Sequence, residues 1–210
     1  VDVTNTTTAV LARGQTSFSV STVTLDTVGL MLDSLESDGF YLSGVTGTQV
    51  SKVMIATSSV SLEVGTLDLL GTGSGWSVES SSLGGTMLDD VTLAGFGDGM
   101  RLSGTGNHEL DSLDLDVQGI LFDISGTGIL DIESSEFDFV QSAGEISSVD
   151  TVWEDVTLTG ATGSEGLGFI AGKHTITDSV MTRGYLSADT TSIGIESTWA
   201  SVQVQDLTMS

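Results

Sequence analysis

A short phrase keeps returning along the chain: an apolar residue, two mostly polar ones, then alternating apolar residues, followed by a glycine-rich turn. It reads LDTVGL from Leu25, VSKVMI from Val50, LDLL from Leu67, LDDVTL from Leu88, LDSLDL from Leu110, IESSEF from Ile132, WEDVTL from Trp153, ITDSVM from Ile176 and VQDLTM from Val204. Successive starts lie 25, 17, 21, 22, 22, 21, 23 and 28 residues apart. A period of this length marks a solenoid, in which one supersecondary unit stacks on copies of itself.

The repeats are built from Val, Ile, Leu, Thr and Ser in period-2 alternation, so they specify strands rather than helices. A unit of roughly 22 residues is too short for a four-stranded propeller blade, and the spacing of a leucine-rich repeat is missing. The reading is all-β: a parallel β-helix of about nine coils, each laying down two or three short strands. At ~4.8 Å per rung such a stack is roughly 40 Å long. Glycines in SDGFYLSG (37–44), GFGDGMRLSG (95–104) and DVQGILFDISG (116–126) suit corners that need positive φ or have no room for a Cβ.

These phrases resemble the single-stranded right-handed parallel β-helices of the pectin-lyase-like superfamily, above all the shafts of phage tailspikes and related virion surface proteins. The resemblance runs from about Leu25 to Ser210. It rests on the V-x-D-V-T-L-type strand phrase, the following GF and LSGTG turn phrases, and the coil length. It implies the fold, while the superfamily spans lyases, hydrolases, adhesins and structural spikes, so activity has to come from surface sites.

One domain accounts for the length, since 210 residues bury roughly 70% of their unfolded surface and no linker divides the chain. Residues 1–20 are Thr-rich, precede the first clear phrase and carry Arg13. They read as an N-terminal capping or attachment segment, with the β-helix over 21–210.

Charge is the second strong signal, with 29 acidic residues against 5 basic ones for a net charge of −24. Nucleic acid is excluded as a partner, because a phosphate-binding face needs clustered Lys and Arg. Salt adaptation, in a marine or halophilic source, is the expected origin of the acidity, ahead of Ca²⁺ binding or a basic partner. Neither D-x-[DN]-x-[DN]-G nor G-G-x-G-x-D occurs, so the expectation is no cofactor beyond loosely bound Ca²⁺ or other cations. With no cysteine there are no disulfides or thiolate sites, and with no proline every rung can donate to its ladder. No apolar run approaches membrane-spanning length, so no membrane insertion is expected, and the start of the sequence shows no basic and apolar leader pattern.

Hydrolysis of a glycan would need two carboxyl groups about 5 to 9.5 Å apart beside a groove. Asp89 and Asp90, Glu154 and Asp155, and Asp178 fall at equivalent places in their coils, and Glu154 with Asp155 is the weak catalytic candidate among them. A solvated acidic face is the stronger reading, since neighbours on a strand point to opposite faces. Phe40, Trp76, Phe96, Phe122, Trp153, Phe169, Tyr185 and Trp199 read mostly as core or corner packing, and Tyr41 as the exposed aromatic. The lyase chemistry that the resemblance implies, proton abstraction by Arg or Lys beside Ca²⁺, fits poorly with Arg13, Lys52, Arg101, Lys173 and Arg183 as the whole basic set. His108 and His174 are 66 residues apart, three coils, and read as solvated corner histidines near one face.

The expectation is therefore a non-enzymatic structural or adhesive subunit at a virion surface: a spike, fibre or capsid decoration protein, with no catalytic residue carried over. The resemblance implies homo-oligomers, commonly trimers, with other virion proteins and a host-surface glycan as partners. The alternatives are a glycan-cleaving tailspike domain, or a secreted filament or cell-surface adhesin of a salt-adapted microbe.

Overall fold

The computed structural model describes residues 1–13, 17–37, 39–58, 62–72, 75–147, 149–189, 192–199 and 202–205. The side chains of Arg13, Phe40 and Trp199, and most of the phrase at Val204, lie outside the described residues. The strands in chain order are β1 (Asp2–Arg13), β2 (Ser17–Ser37), β3 (Gly39–Ser58), β4 (Leu62–Gly71), β5 (Trp76–Ser80), β6 (Thr86–Phe96), β7 (Asp98–Leu102), β8 (His108–Val117) and β9 (Ile120–Ser125). They continue as β10 (Ile129–Phe139), β11 (Ser142–Ser147), β12 (Asp150–Gly160), β13 (Glu165–Ile170), β14 (Lys173–Thr182), β15 (Leu186–Asp189), β16 (Ser192–Trp199) and β17 (Val202–Gln205).

From β4 onward long and short strands alternate. Long strands pair in parallel with long ones (β4, β6, β8, β10, β12, β14, β16), and short with short (β5, β7, β9, β11, β13, β15, β17). β2 and β3 each run through most of a turn. The result is a parallel β-solenoid of about eight turns and ~22 residues per turn. β1 belongs to the same ladder, pairing in register with β2 from Asp2↔Thr24 to Arg13↔Leu35.

One inward column shows the stacking: Val20, Leu42, Val64, Leu88, Leu110, Ile132, Trp153 and Ile176 are successive register partners. From Leu42 to Ile176 every member is buried. The recurring phrase belongs to this column from Leu88 to Ile176. In the first turns the equivalent residues are Val20, Leu42 and Val64, whereas Leu25 stacks on Gly47 and Leu69 in a second column. Val204 pairs with Ala188 on the short-strand side.

The two polar residues of the phrase mark a corner. Thr22, Gly44, Thr66, Asp90, Ser112, Ser134, Asp155 and Asp178 form a continuous column with φ between 48° and 64°. A single left-handed residue swings the strand and puts two consecutive side chains outside: in LDDVTL, Leu88 and Val91 are buried while Asp89 and Asp90 are exposed. Glycine, expected at corners, occupies this one only at Gly44. Thr, Ser and Asp hold the rest against the steric preference of L-residues. Strict alternation of adjacent carboxylates therefore fails here, because Glu154 and Asp155 both face solvent.

Two serines complete this corner from inside. The Ser135 hydroxyl accepts from the Leu113 N–H (3.1 Å) and donates to the Glu133 carbonyl, and Ser179 does the same between Val156 N–H (3.1 Å) and the Thr177 carbonyl (2.8 Å). Glycine is obligatory at another corner, where Gly104 (φ 136°) and Gly126 (φ 138°) stack so closely that a Cβ on Gly126 would lie 2.1 Å from the Gly104 carbonyl oxygen. The core of the later turns is aromatic: Phe122 meets Phe137 at 5.1 Å and Trp153 at 6.1 Å, and Trp153 meets Phe169 at 5.9 Å, all edge to face.

Candidate functional site

Because the rungs are in register, like residues at one phrase position become neighbours in space. Asp89, Asp111, Glu133 and Glu154 form a four-deep carboxylate column on the outer face, followed by Thr177. Asp114 pairs with Glu136, and Asp116 with Asp138. The crowding shows in the chemistry. Glu133 is pushed above the usual carboxylate range, chiefly by Asp131, then by partial desolvation and by Asp111, Glu154 and Glu109. Asp116 is raised by burial first, then by Asp138 and Asp114. Asp90, Asp155 and Asp178 stand one position further along, at the left-handed corner, so the expected equivalence of the acidic positions holds as two parallel columns. Glu154 and Asp155 both lie on this exposed corner, with Asp155 bordering a shallow depression beside Asp114 and Glu136. Among the described residues no group of three or more His, Asp or Glu converges to hold a metal ion.

The short-strand face carries the other concentration of chemistry. Glu79, Arg101, Asp123 and Glu145 are register partners on β5, β7, β9 and β11. Arg101 sits between acids: its Nε donates to Asp123 Oδ2 at 2.7 Å, and its Nη1 lies 3.5 Å from Glu79 Oε1. Lys52 also bonds Glu79. The Arg101 guanidinium covers the half-buried Trp76 ring, 4.6 Å from its centroid. Beside this cluster runs an open groove of about 670 Å³, with Trp76 and Arg101 at one end, Asp123, Glu145 and Gln141 along it, and Glu165 beyond. The face is concave where Gly144 stands on the inward column above the fully buried Phe122. Nothing local in the sequence joins these residues, since Trp76 and Arg101 are 25 positions apart. The exact 22-residue steps Arg101, Asp123, Glu145 were the available signal.

Tyr41 is exposed (46%), as expected, with Ser19 and Glu63 as ladder neighbours. Tyr185, expected in packing, is 36% exposed. Trp153, Phe96, Phe122 and Phe169 are core. The histidines differ from expectation: His108 and His174 are not solvated corners but are buried, at 1% and 2% exposure. Each lies two residues before an inward residue, Leu110 or Ile176, and period-2 alternation turns it inside. Three turns separate them, on one column.

Among the described residues, exposed apolar side chains do not form a stripe. Met87 stands between Glu63 and Glu109, Val152 between Asp131 and Thr175, and Ile170 between Ser147 and Asp189. Among the described residues no helix is long and apolar enough to cross a membrane. Compared with known proteins, the chain matches no family model, no curated protein and no solved structure.

Proposed function

We propose that this chain is a non-enzymatic structural or adhesive rod of a virus particle from a saline environment, displayed at the virion surface as a spike, fibre or decoration protein. One observation carries the structural part: every described strand belongs to one continuous parallel ladder, and its outward positions are mostly acidic or hydroxylated, with only scattered apolar ones. Such a ladder resists bending and local opening, because each turn is held by the turns above and below. Stacked carboxylates keep the rod hydrated and repel copies at low salt, a repulsion that salt screens. Its place on a virus particle rests on the likeness of the strand and turn phrases to tailspike shafts. As an oligomer, trimeric or otherwise, it meets other copies and other virion proteins through mixed polar contacts, since no apolar stripe runs up the described faces.

The groove beside Arg101 supports a second reading, a host-surface glycan held or cleaved there. Asp123 and Glu145 are carboxylates on adjacent rungs, and two-carboxylate glycoside chemistry needs a neighbouring pair of this kind beside a groove. Against cleavage, Asp123 is already engaged by the Arg101 guanidinium in an ion pair. Incubating the purified chain with a panel of neutral and acidic polysaccharides tests the two readings. The structural reading predicts no release of reducing ends. Release that disappears in Asp123→Asn and Glu145→Gln would replace it with the glycan-cleaving one.

A further inference from the structure

The chain has two histidines in 210 residues, and both point into the core from one column: Thr86, His108, Leu130, Thr151, His174. Neither ring nitrogen of His108 finds a hydrogen-bond partner within the protein. The Thr86 hydroxyl next to it is engaged by Ser80 at 2.8 Å, and Leu130 on the other side offers nothing polar from its side chain. The carboxylates nearest in sequence and register, Glu109 on its own strand, Asp131 on β10 and Glu63 on β4, occupy outward positions. His174 is better held: Nδ1 meets Thr151 Oγ1 at 3.0 Å, Nε2 meets the Ala171 carbonyl at 2.7 Å, and the ring stacks on Phe169 at 4.3 Å. Its charged neighbours are Asp150, at the start of β12, and Lys173, adjacent on β14.

We propose that this column is an acid-sensitive latch: the stack closes on neutral imidazoles, and acidification favours opening of the turns around β6, β8 and β10, because His108 can accept a proton only after leaving the interior. Burial holds the His108 ring down to about 4, and burial likewise lowers His174, where the Ala171 carbonyl and Asp150 partly oppose it. A histidine released to water titrates near 6.5. Between those values the opened chain binds a proton that the closed one refuses, so stability is complete above about pH 6.5 and falls as pH drops toward 4. The outer carboxylates act the other way. Glu133 and Asp116 are raised in the fold, so their protonation favours the closed state as pH falls. The histidines therefore decide whether mild acid loosens or tightens the rod.

The test is thermal unfolding, followed by circular dichroism between pH 7.5 and 5, of the wild type, His108→Leu and His108→Gln. Neither replacing side chain titrates, and leucine matches the neighbouring Leu130. On going from pH 7.5 to 5 the wild-type Tm is expected to fall relative to both variants by on the order of 5 °C. Curves that stay parallel at a constant offset overturn the proposal, since a purely structural role for the ring shifts Tm equally at every pH. An NMR titration of the native wild-type imidazoles decides the matter even if a variant fails to fold. His108 should stay neutral to near pH 4, and a native midpoint near 6.5 would overturn the latch.

Discussion

Inward positions of this ladder tolerate little. Val91 is 1% exposed and stacks between Leu67 and Leu113, so Val91→Asp buries a charge with no partner and should cost roughly 3–5 kcal/mol. Equilibrium denaturation checks it, and an unchanged midpoint would mean that position faces solvent. The alternation that makes Val91 inward was legible in the sequence, because LDDVTL places it two residues before Leu93. The histidines were legible by the same rule and were missed, because His108 and His174 stand right after turn phrases, where composition points to solvent. The pairing of Arg101 with Asp123 needed more than composition: side chains 22 residues apart touch only once the turn length is known to be 22 there.

At the scale of the element, the left-handed corner explains both what the recurring phrase is and where its reading slips. Apolar, polar, polar, apolar is the signature of one residue at positive φ between two inward ones. In the first turns it occurs twice per turn, as VSTV at 20–23 with Thr22 left-handed and as LDTV at 25–28 with Thr27 left-handed. The sequence therefore offers two equally good phrases, and only strand pairing shows that Val20, not Leu25, continues the column of Leu88. A β-branched residue is a poor occupant of such a corner. Exposed Thr66 (φ 52°) replaced by glycine should gain about 0.5–1 kcal/mol, the relieved backbone strain exceeding the entropy that glycine loses. A loss of stability measured by urea titration would show that the Thr66 side chain contributes contacts that outweigh the strain. The carboxylate column carries a prediction of the opposite kind. Glu133→Gln should raise Tm at pH 7, because the charge it removes is opposed by Asp131, Asp111, Glu154 and Glu109. The gain should vanish near pH 4, where the glutamate is protonated in the wild type too, and in ~1 M salt, where the repulsion is screened. A gain that persists under both conditions would have to come from something other than charge.

Across the whole molecule the charge is unevenly spread. Residues 113–155 hold 11 of the 29 acids and none of the 5 basic residues, whereas residues 1–22 hold only Asp2 and Arg13. The middle turns are thus under the greatest electrostatic tension, and that stretch includes Glu133 and Asp116. Raising NaCl from about 0.05 to 1 M shortens the screening length from over 10 Å to ~3 Å and should raise the Tm of the whole rod. A flat or falling response would remove salt adaptation as the reason for the acidic skin. Solenoid architecture, strand content and turn length could all be read from the period and the residue alternation, because stacking converts a local pattern into a global one. Partners could not, since outward residues are constrained by solubility alone until something binds them. Whether the rod stands on virus particles is read by immunogold electron microscopy of the source culture, with antibody raised against the purified chain. Gold on the surface of particles is the expected result. Gold confined to cell envelopes or free filaments, with particles bare, would contradict it.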